Sequence, residues 1–194
     1  MCGVVVRDPD EPPEAWVGRT IDGKYEIEEV LGVGGMGMVF SAQRTLVGDS
    51  VALKVLYPRL LESTLQRELF RDEAIEAARL SHANVVTVFD AGFSDEAGTA
   101  YIAMELLEGR TLKDLLREQA PMAPTLLVPI AIQVCQGLAS AHAAQIIHRD
   151  LKPDNIFLEE LSDDEYRVKL VDFGIAAMLD VDRSGERRQR LGTL

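Results

Sequence analysis

Cysteine is nearly absent from this chain: its 194 residues include only Cys2 and Cys135. One stands at the extreme terminus and the other inside an apolar helical pattern, so a disulfide framework is not expected and a reducing compartment, the cytoplasm, is. Long hydrophobic runs are missing too. The most apolar region, Leu126 to Ala144, is interrupted by Pro129, Gln133, Gln136 and His142. It falls short of the roughly 18 uninterrupted apolar residues of a bilayer span, and no membrane span is expected in this chain. The apolar start Met1 to Val6 runs at once into Arg7, Asp8 and Asp10, which does not fit a secretory signal. Positive charge is scarce, with 20 Lys and Arg against 32 Asp and Glu and a formal net charge of -12. Such a balance argues against a nucleic-acid surface, whose affinity comes from neutralising phosphates. No internal repeat is visible.

What is present is ordinary globular material, 47% hydrophobic and 27% charged, long enough for one large core or two small ones. Residues 1 to 20 carry Pro9, Pro12 and Pro13 among acidic residues without an apolar period, and a flexible leader is expected there. From Tyr25 onward, short apolar runs punctuated by glycine suggest strands. Val51, Leu53 and Val55 alternate with Ala52, Lys54 and Leu56, so Ala52 and Lys54 share one face of a strand, about 7 Å apart. Ser63 with Gln66 fits a capping box, and Leu65, Leu69, Glu73 and Ala77 recur at i, i+4 on the helix that follows. Glu73 thus lies on an apolar helix face, where an unpaired carboxylate is costly, and Lys54 is its expected cation.

Further strands are expected at 85–89 and 101–104, followed by a short helix capped by Thr111 with Asp114. A longer helix opened by Thr125 has Pro129 in its first turn and a stripe of Leu127, Ile130, Val134, Leu138 and Ala141. Short strands are expected again at Ile146-Ile147, 155–158 and 167–171. The acidic run Glu159, Glu160, Asp163, Asp164 and Glu165 reads as a solvated turn.

Four segments carry chemistry. Gly32-Val33-Gly34-Gly35-Met36-Gly37-Met38-Val39 fits G-x-G-x-x-G-x-V. A dinucleotide site would open a helix at this point, and a P-loop would continue into Gly-Lys-Ser/Thr. This segment runs instead into strand-like Val39-Phe40-Ser41. Val51-Ala52-Leu53-Lys54 comes next, then His148-Arg149-Asp150-Leu151-Lys152-Pro153-Asp154-Asn155, then Asp172-Phe173-Gly174. In this order the segments resemble those of the protein kinases, over about Tyr25 to Leu194. Lys152, two residues after Asp150, makes the resemblance that of the serine/threonine branch. The Gly-Gly-Met-Gly loop and the lead from Gly18 to Tyr25 are similar to the eukaryotic-like kinases of bacteria.

That resemblance implies an α+β fold of two lobes with a nucleotide between them. The N-lobe, an antiparallel sheet plus one helix, would occupy about 21–105, and the start of an incomplete helical C-lobe about 106–194. It implies ATP and Mg2+ as cofactors and serine or threonine hydroxyls of protein substrates as acceptors, in signalling. Gly32, Val33, Gly34, Gly35, Met36 and Gly37 would lie over the triphosphate with their backbone amides. Lys54, pinned by Glu73, would hold the α and β phosphates. Val39 and Ala52 would cover the adenine from above and Phe157 from below, with Met104 as gatekeeper and Glu105, Leu106 and Leu107 as hinge. Asp150 would take the proton of the substrate hydroxyl, Lys152 would neutralise the transferring group, and Asn155 and Asp172 would ligate Mg2+. His148 is assigned to packing beneath Phe173 with Val88 and Ala77, and His82 and His142 to packing as well. Arg149 marks the class switched by loop phosphorylation, for which Ser184, the only hydroxyl between Gly174 and Gly192, is the candidate.

The resemblance stops at Gly192-Thr193-Leu194, ahead of an Ala-Pro-Glu-like triplet and the later helices of the large lobe. The stripe Ile130, Val134 and Leu138 is therefore expected to need cover, from self-association or from a further C-terminal segment. A nucleotide-binding regulatory module or an inactive fragment stands as the alternative to an enzyme.

Overall fold

A run of alternating apolar residues builds a six-stranded antiparallel sheet. Its strands are Thr20–Ile21 (β1), Tyr25–Val33 (β2), Gly37–Arg44 (β3), Ser50–Leu56 (β4), Val88–Ser94 (β5) and Thr99–Glu105 (β6), in the order β1-β2-β3-β4-β6-β5. The computed structural model from which this is read describes residues 11–95, 97–162 and 165–173. Ser184, Gly174, Asp163, Asp164 and Cys2 lie outside the described residues. One sheet face buries Ile27, Phe40, Ala42, Val51, Leu53 and Val55 with Tyr101. β5 starts later than the expected 85–89 strand, because Val85 pairs elsewhere, in a parallel bridge with Leu170.

Part of the expected flexible leader is folded. Pro13–Trp16 forms a 3-10 turn, and Trp16 is buried in the core of the first sheet against Phe40. A proline-rich, acidic segment gave no periodic signal; one large aromatic residue supplies the apolar area that fixes it.

The helix Thr64–Arg79 (α1) begins as the capping box requires. The Ser63 hydroxyl accepts from Gln66 N at 3.2 Å, and the Gln66 side chain accepts from Ser63 N at 2.9 Å. Its inward stripe of Leu69, Phe70, Glu73 and Ala74 is buried, and α1 lies against β5, with Phe70 edge-on to Phe93 at 5.2 Å.

The second half forms a three-stranded sheet, β7-β8-β9, from Arg110–Thr111 (β7), Ile156–Ser162 (β8) and Glu165–Leu170 (β9), with two helices, Leu112–Gln119 (α2) and Pro124–Ala143 (α3). Thr111 caps α2 by accepting from Asp114 N at 3.2 Å. α3 starts at Pro124 with no side-chain cap, its proline fitting the first turn. Among the described residues Ile146-Ile147 makes no strand; Ile146 N closes the end of α3 by donating to Ala141 O at 2.9 Å.

The expectation that Ile130, Val134 and Leu138 lack cover is corrected. Ile130 is buried, and Val134 and Leu138 pack half-buried on the same core, which includes Val168 and Leu170 of β9. The uncovered side of α3 is a different one, carrying Leu127, Val128, Ile132 and Cys135. Gln133 belongs to the covered side: its Oε1 accepts from Asn84 Nδ2 and Val168 N, both at 3.0 Å, and its Nε2 donates to Tyr166 O at 2.8 Å. By length and composition alone α3 is apolar enough to cross a membrane, with a mean hydropathy of 1.4. The helix is apolar on average despite its polar interruptions; of these Gln133 bonds to β9, whereas Gln136 and His142 are exposed.

α3 can approach β9 this closely because Gly137 has no side chain. A Cβ there would come within 2.9 Å of Asn84 O and of Leu170 Cδ1. Gly137→Val is accordingly expected to destabilise the protein by about 1–3 kcal/mol through overpacking, read as a lower urea midpoint at unchanged slope.

Candidate active site

The glycine-rich segment is the hairpin between β2 and β3, closed by Gly34 N donating to Gly37 O at 2.9 Å. Gly37 is required by space, since a Cβ would lie 2.1 Å from Val55 O. At Gly32 and Gly35 a Cβ would meet nothing within 4 Å. The hairpin is fastened from behind: Tyr57 N donates to Met36 O at 3.0 Å and Arg59 Nη2 to Gly35 O at 3.0 Å.

Register sets the face below it. Val39 pairs with Lys54 and Ser41 with Ala52, so Val39, Ala52 and Lys54 point the same way from adjacent strands. There Ala52, Val86 and Met104 are buried together, with Val39, Leu106, Leu107 and Val171 packed against them. Val86 and Val171 were missed from the sequence because each reads as an ordinary strand residue; only the fold brings them beside Ala52. Phe157 stands outside this group, half-buried on β8 opposite Thr111 and Lys169. The Glu105 side chain is a tie between the two sheets: its Oε1 accepts from Thr87 N and from buried Lys169 Nζ, both at 2.7 Å.

The ion pairs differ from the expected Lys54 with Glu73. Lys54, 5% exposed, donates to Asp172 Oδ1 at 2.6 Å, while buried Glu73 accepts from Arg149. Glu73 does meet a cation, as a carboxylate on an apolar face must. Sequence reasoning named Lys54 alone; Arg149, which reaches Glu73 in the fold, takes a positive φ of 63°, a backbone angle uncommon outside glycine. Asp172 has the same φ of 63°.

The loop from His148 to Asn155 converges on Asp150. Its Oδ2 accepts from Lys152 Nζ at 2.6 Å and from Asn155 Nδ2 at 3.1 Å, and its carbonyl accepts from Asn155 Nδ2 at 2.9 Å. The neighbouring carboxylate raises the Lys152 ammonium above its ordinary pKa. Val171 N donates to Asn155 O at 3.1 Å, joining this loop to the residue before Asp172. Asp154, overlooked in the sequence, pairs with Lys113 of α2, which lowers its pKa. His148 is 2% exposed, with its ring 4.5 Å from that of Phe173 and its Nε2 3.0 Å from Val171 O. Burial pushes its pKa below the ordinary value. Ala77 and Val88 line the same small apolar cavity as Phe173. His82 accepts from Asn84 N at 3.1 Å through Nδ1, a turn-forming bond rather than a packing role alone, and His142 lies exposed in the last turn of α3.

A family model described as the protein kinase domain matches residues 25–194. A probable serine/threonine-protein kinase of Corynebacterium efficiens is 45% identical over 159 residues, which is 81% of this chain and 24% of that protein. Serine/threonine-protein kinase pkn3 of Myxococcus xanthus is 40% identical over 187 residues, 96% of this chain and 34% of its own length. The crystal structure of the Mycobacterium tuberculosis PknI kinase domain superposes with a TM-score of 0.70 at 33% identity, covering 82% of this chain and 62% of that one. The chain thus spans about a quarter to a third of the length of these curated relatives.

Two measurements check this geometry. Arg149→Met leaves a carboxylate buried, so it should cost more alone than after Glu73→Gln; a double-mutant cycle in urea is expected to give a coupling of about 0.5–3 kcal/mol. For His148, the unfolded chain binds a proton more readily than the folded one. Stability should therefore fall as pH drops below the ordinary value of 6.5 and be independent of this group above it. His148→Phe, which cannot titrate, should show a shallower dependence in that window.

Proposed function

The chain belongs to the protein kinase family, and we propose that it transfers the γ-phosphoryl group of ATP, in the presence of Mg2+, to serine and threonine hydroxyls of protein substrates in the cytoplasm. The observation that carries this reading is the meeting of Lys54 and Asp172 at 2.6 Å across 118 positions of sequence, beside the loop that gathers Asp150, Lys152 and Asn155.

The residues suit both groups they would hold. Ala52, Val86, Met104 and their apolar neighbours form a surface for a purine ring, next to a glycine hairpin whose open positions let phosphates approach the backbone. Asn155 spends its amide nitrogen on Asp150, so its carbonyl oxygen is the atom offered to a metal; with the Asp172 carboxylate this is the all-oxygen set that Mg2+ prefers. Bound Mg2+ supplies charge neutralisation for a triphosphate that otherwise repels a nucleophile.

Each side chain then has a task. Lys54 exchanges Asp172 for phosphate oxygens and places them under the hairpin. Asp150 uses Oδ2 for Lys152 and Asn155, and Oδ1 is the atom proposed to accept the hydroxyl proton. Lys152, held beside it, balances charge on the transferring group. In this arrangement Glu73 is engaged by Arg149, and a phosphorylated loop that drew Arg149 to itself would favour a turn of Glu73 toward Lys54. A second reading, nucleotide binding without transfer, is favoured by this resting arrangement, in which Lys54, Asp172, Glu73 and Arg149 engage one another in pairs.

Transfer of labelled phosphate from ATP to a generic protein acceptor separates the two. Asp150→Ala is expected to lower transfer about 10²–10⁴-fold while leaving nucleotide affinity in place, and Lys54→Met to lower both. An Asp150→Ala variant that keeps most of the wild-type rate would overturn the assignment; wild-type binding with no transfer would select the second reading.

A further inference from the structure

The segment ahead of β1 is a strap closed at both ends. The Glu11 carboxylate accepts two bonds from the Arg19 guanidinium. The backbone on either side of that arginine joins β2, with Gly18 N donating to Ile27 O and Ile27 N to Arg19 O, both at 2.8 Å. Between these ends Trp16 lies 5% exposed, stacked on Phe40 with ring centroids 6.2 Å apart and an interplanar angle of 27°. The Arg19 guanidinium sits over the indole at 5.5 Å.

Phe40 follows Val39 on β3, and successive side chains on a strand point to opposite faces. Val39 shares its face with Lys54, whereas Phe40 pairs with Leu53 on the other, where Trp16 closes the core. The strap therefore backs the strands whose front face carries the candidate nucleotide site. It also borders the hairpin: Pro12 and Pro13 line, with Val33, Gly34 and Arg59, one open cavity of about 290 Å³. Side chains at Gly32 and Gly35 would touch nothing, so the hairpin's height is set by β2 and β3, which it joins, and by the bonds from Tyr57 and Arg59 to Met36 and Gly35.

We propose that Trp16 is a positioning residue for the nucleotide's phosphates: seated on Phe40, it holds β3 and the glycine hairpin at the height at which backbone amides meet the triphosphate. This rests on the kinase reading above and deepens it. The strap makes no contact that selects the purine, so its effect falls on phosphate binding and not on adenosine binding.

Calorimetric titration of the full chain with ATP·Mg2+ and, separately, with adenosine tests this. Trp16→Ala is expected to weaken ATP·Mg2+ roughly tenfold while changing adenosine affinity less than about twofold, and Trp16→Phe to restore most of the loss. Arg19→Met, which opens the clasp without emptying the core, should shift ATP·Mg2+ in the same direction by less. It is the deciding variant if Trp16→Ala does not fold. Equal weakening of both ligands, or no weakening of ATP·Mg2+ in a folded variant, would overturn the inference and leave the kinase reading standing. A wild-type chain that binds neither ligand would instead overturn the kinase reading, and this inference with it.

Discussion

The Lys54–Asp172 ion pair is the contact on which the rest of the arrangement depends. Lys54 comes from the middle of the first sheet and Asp172 from the segment leaving the second, and an ammonium at 5% exposure needs a counter-charge. Two further buried or half-buried pairs span the same division, Glu73 with Arg149 and Glu105 with Lys169. The apolar cores do not span it to the same degree. Two clusters lie wholly before residue 106; a third gathers residues beyond it around Leu80 and Val85, and the small group around Ala52 also draws from both sides. The two halves are thus joined by charge at the site itself, beside the apolar and backbone contacts that segment 80–86 makes with β9. Ligands that compete for those charges can change how the halves meet, because polar contacts of this kind exchange partners without emptying a core.

Much of the frame could be read from residue patterns. Period-two alternation at 51–56 placed β4 and the shared face of Ala52 and Lys54, and Ser63 with Gln66 marked the start of α1 through a bond network that is local by nature. Thr111 with Asp114 marked α2 for the same reason. Local chemistry leaves local signatures. Non-local pairing does not: Val85 was assigned to the edge strand, although it bridges Leu170, more distant in sequence than any periodicity reaches.

The site divides along the same line. Its inventory was legible because ordered motifs bring a lysine, several carboxylates and an amide in a fixed sequence. Its resting connections were not, since Glu73 can satisfy its charge with either of two cations and only the fold selects Arg149. Trp16 was hidden differently, by prolines and acidic residues that looked like leader on both sides of one aromatic ring. The stripe on α3 was correctly seen as apolar but matched to the wrong neighbour; β9 covers Ile130, Val134 and Leu138, and Leu127, Val128 and Ile132 face outward.

The central claim is that Lys54 and Asp172 face one nucleotide, held from one side by an ammonium and from the other through a divalent ion. Calorimetric titration of the wild-type chain with ATP, once with Mg2+ and once with the metal chelated, tests it directly. The account predicts binding at one site that weakens markedly when Mg2+ is removed; affinity that is the same with and without the metal would contradict it.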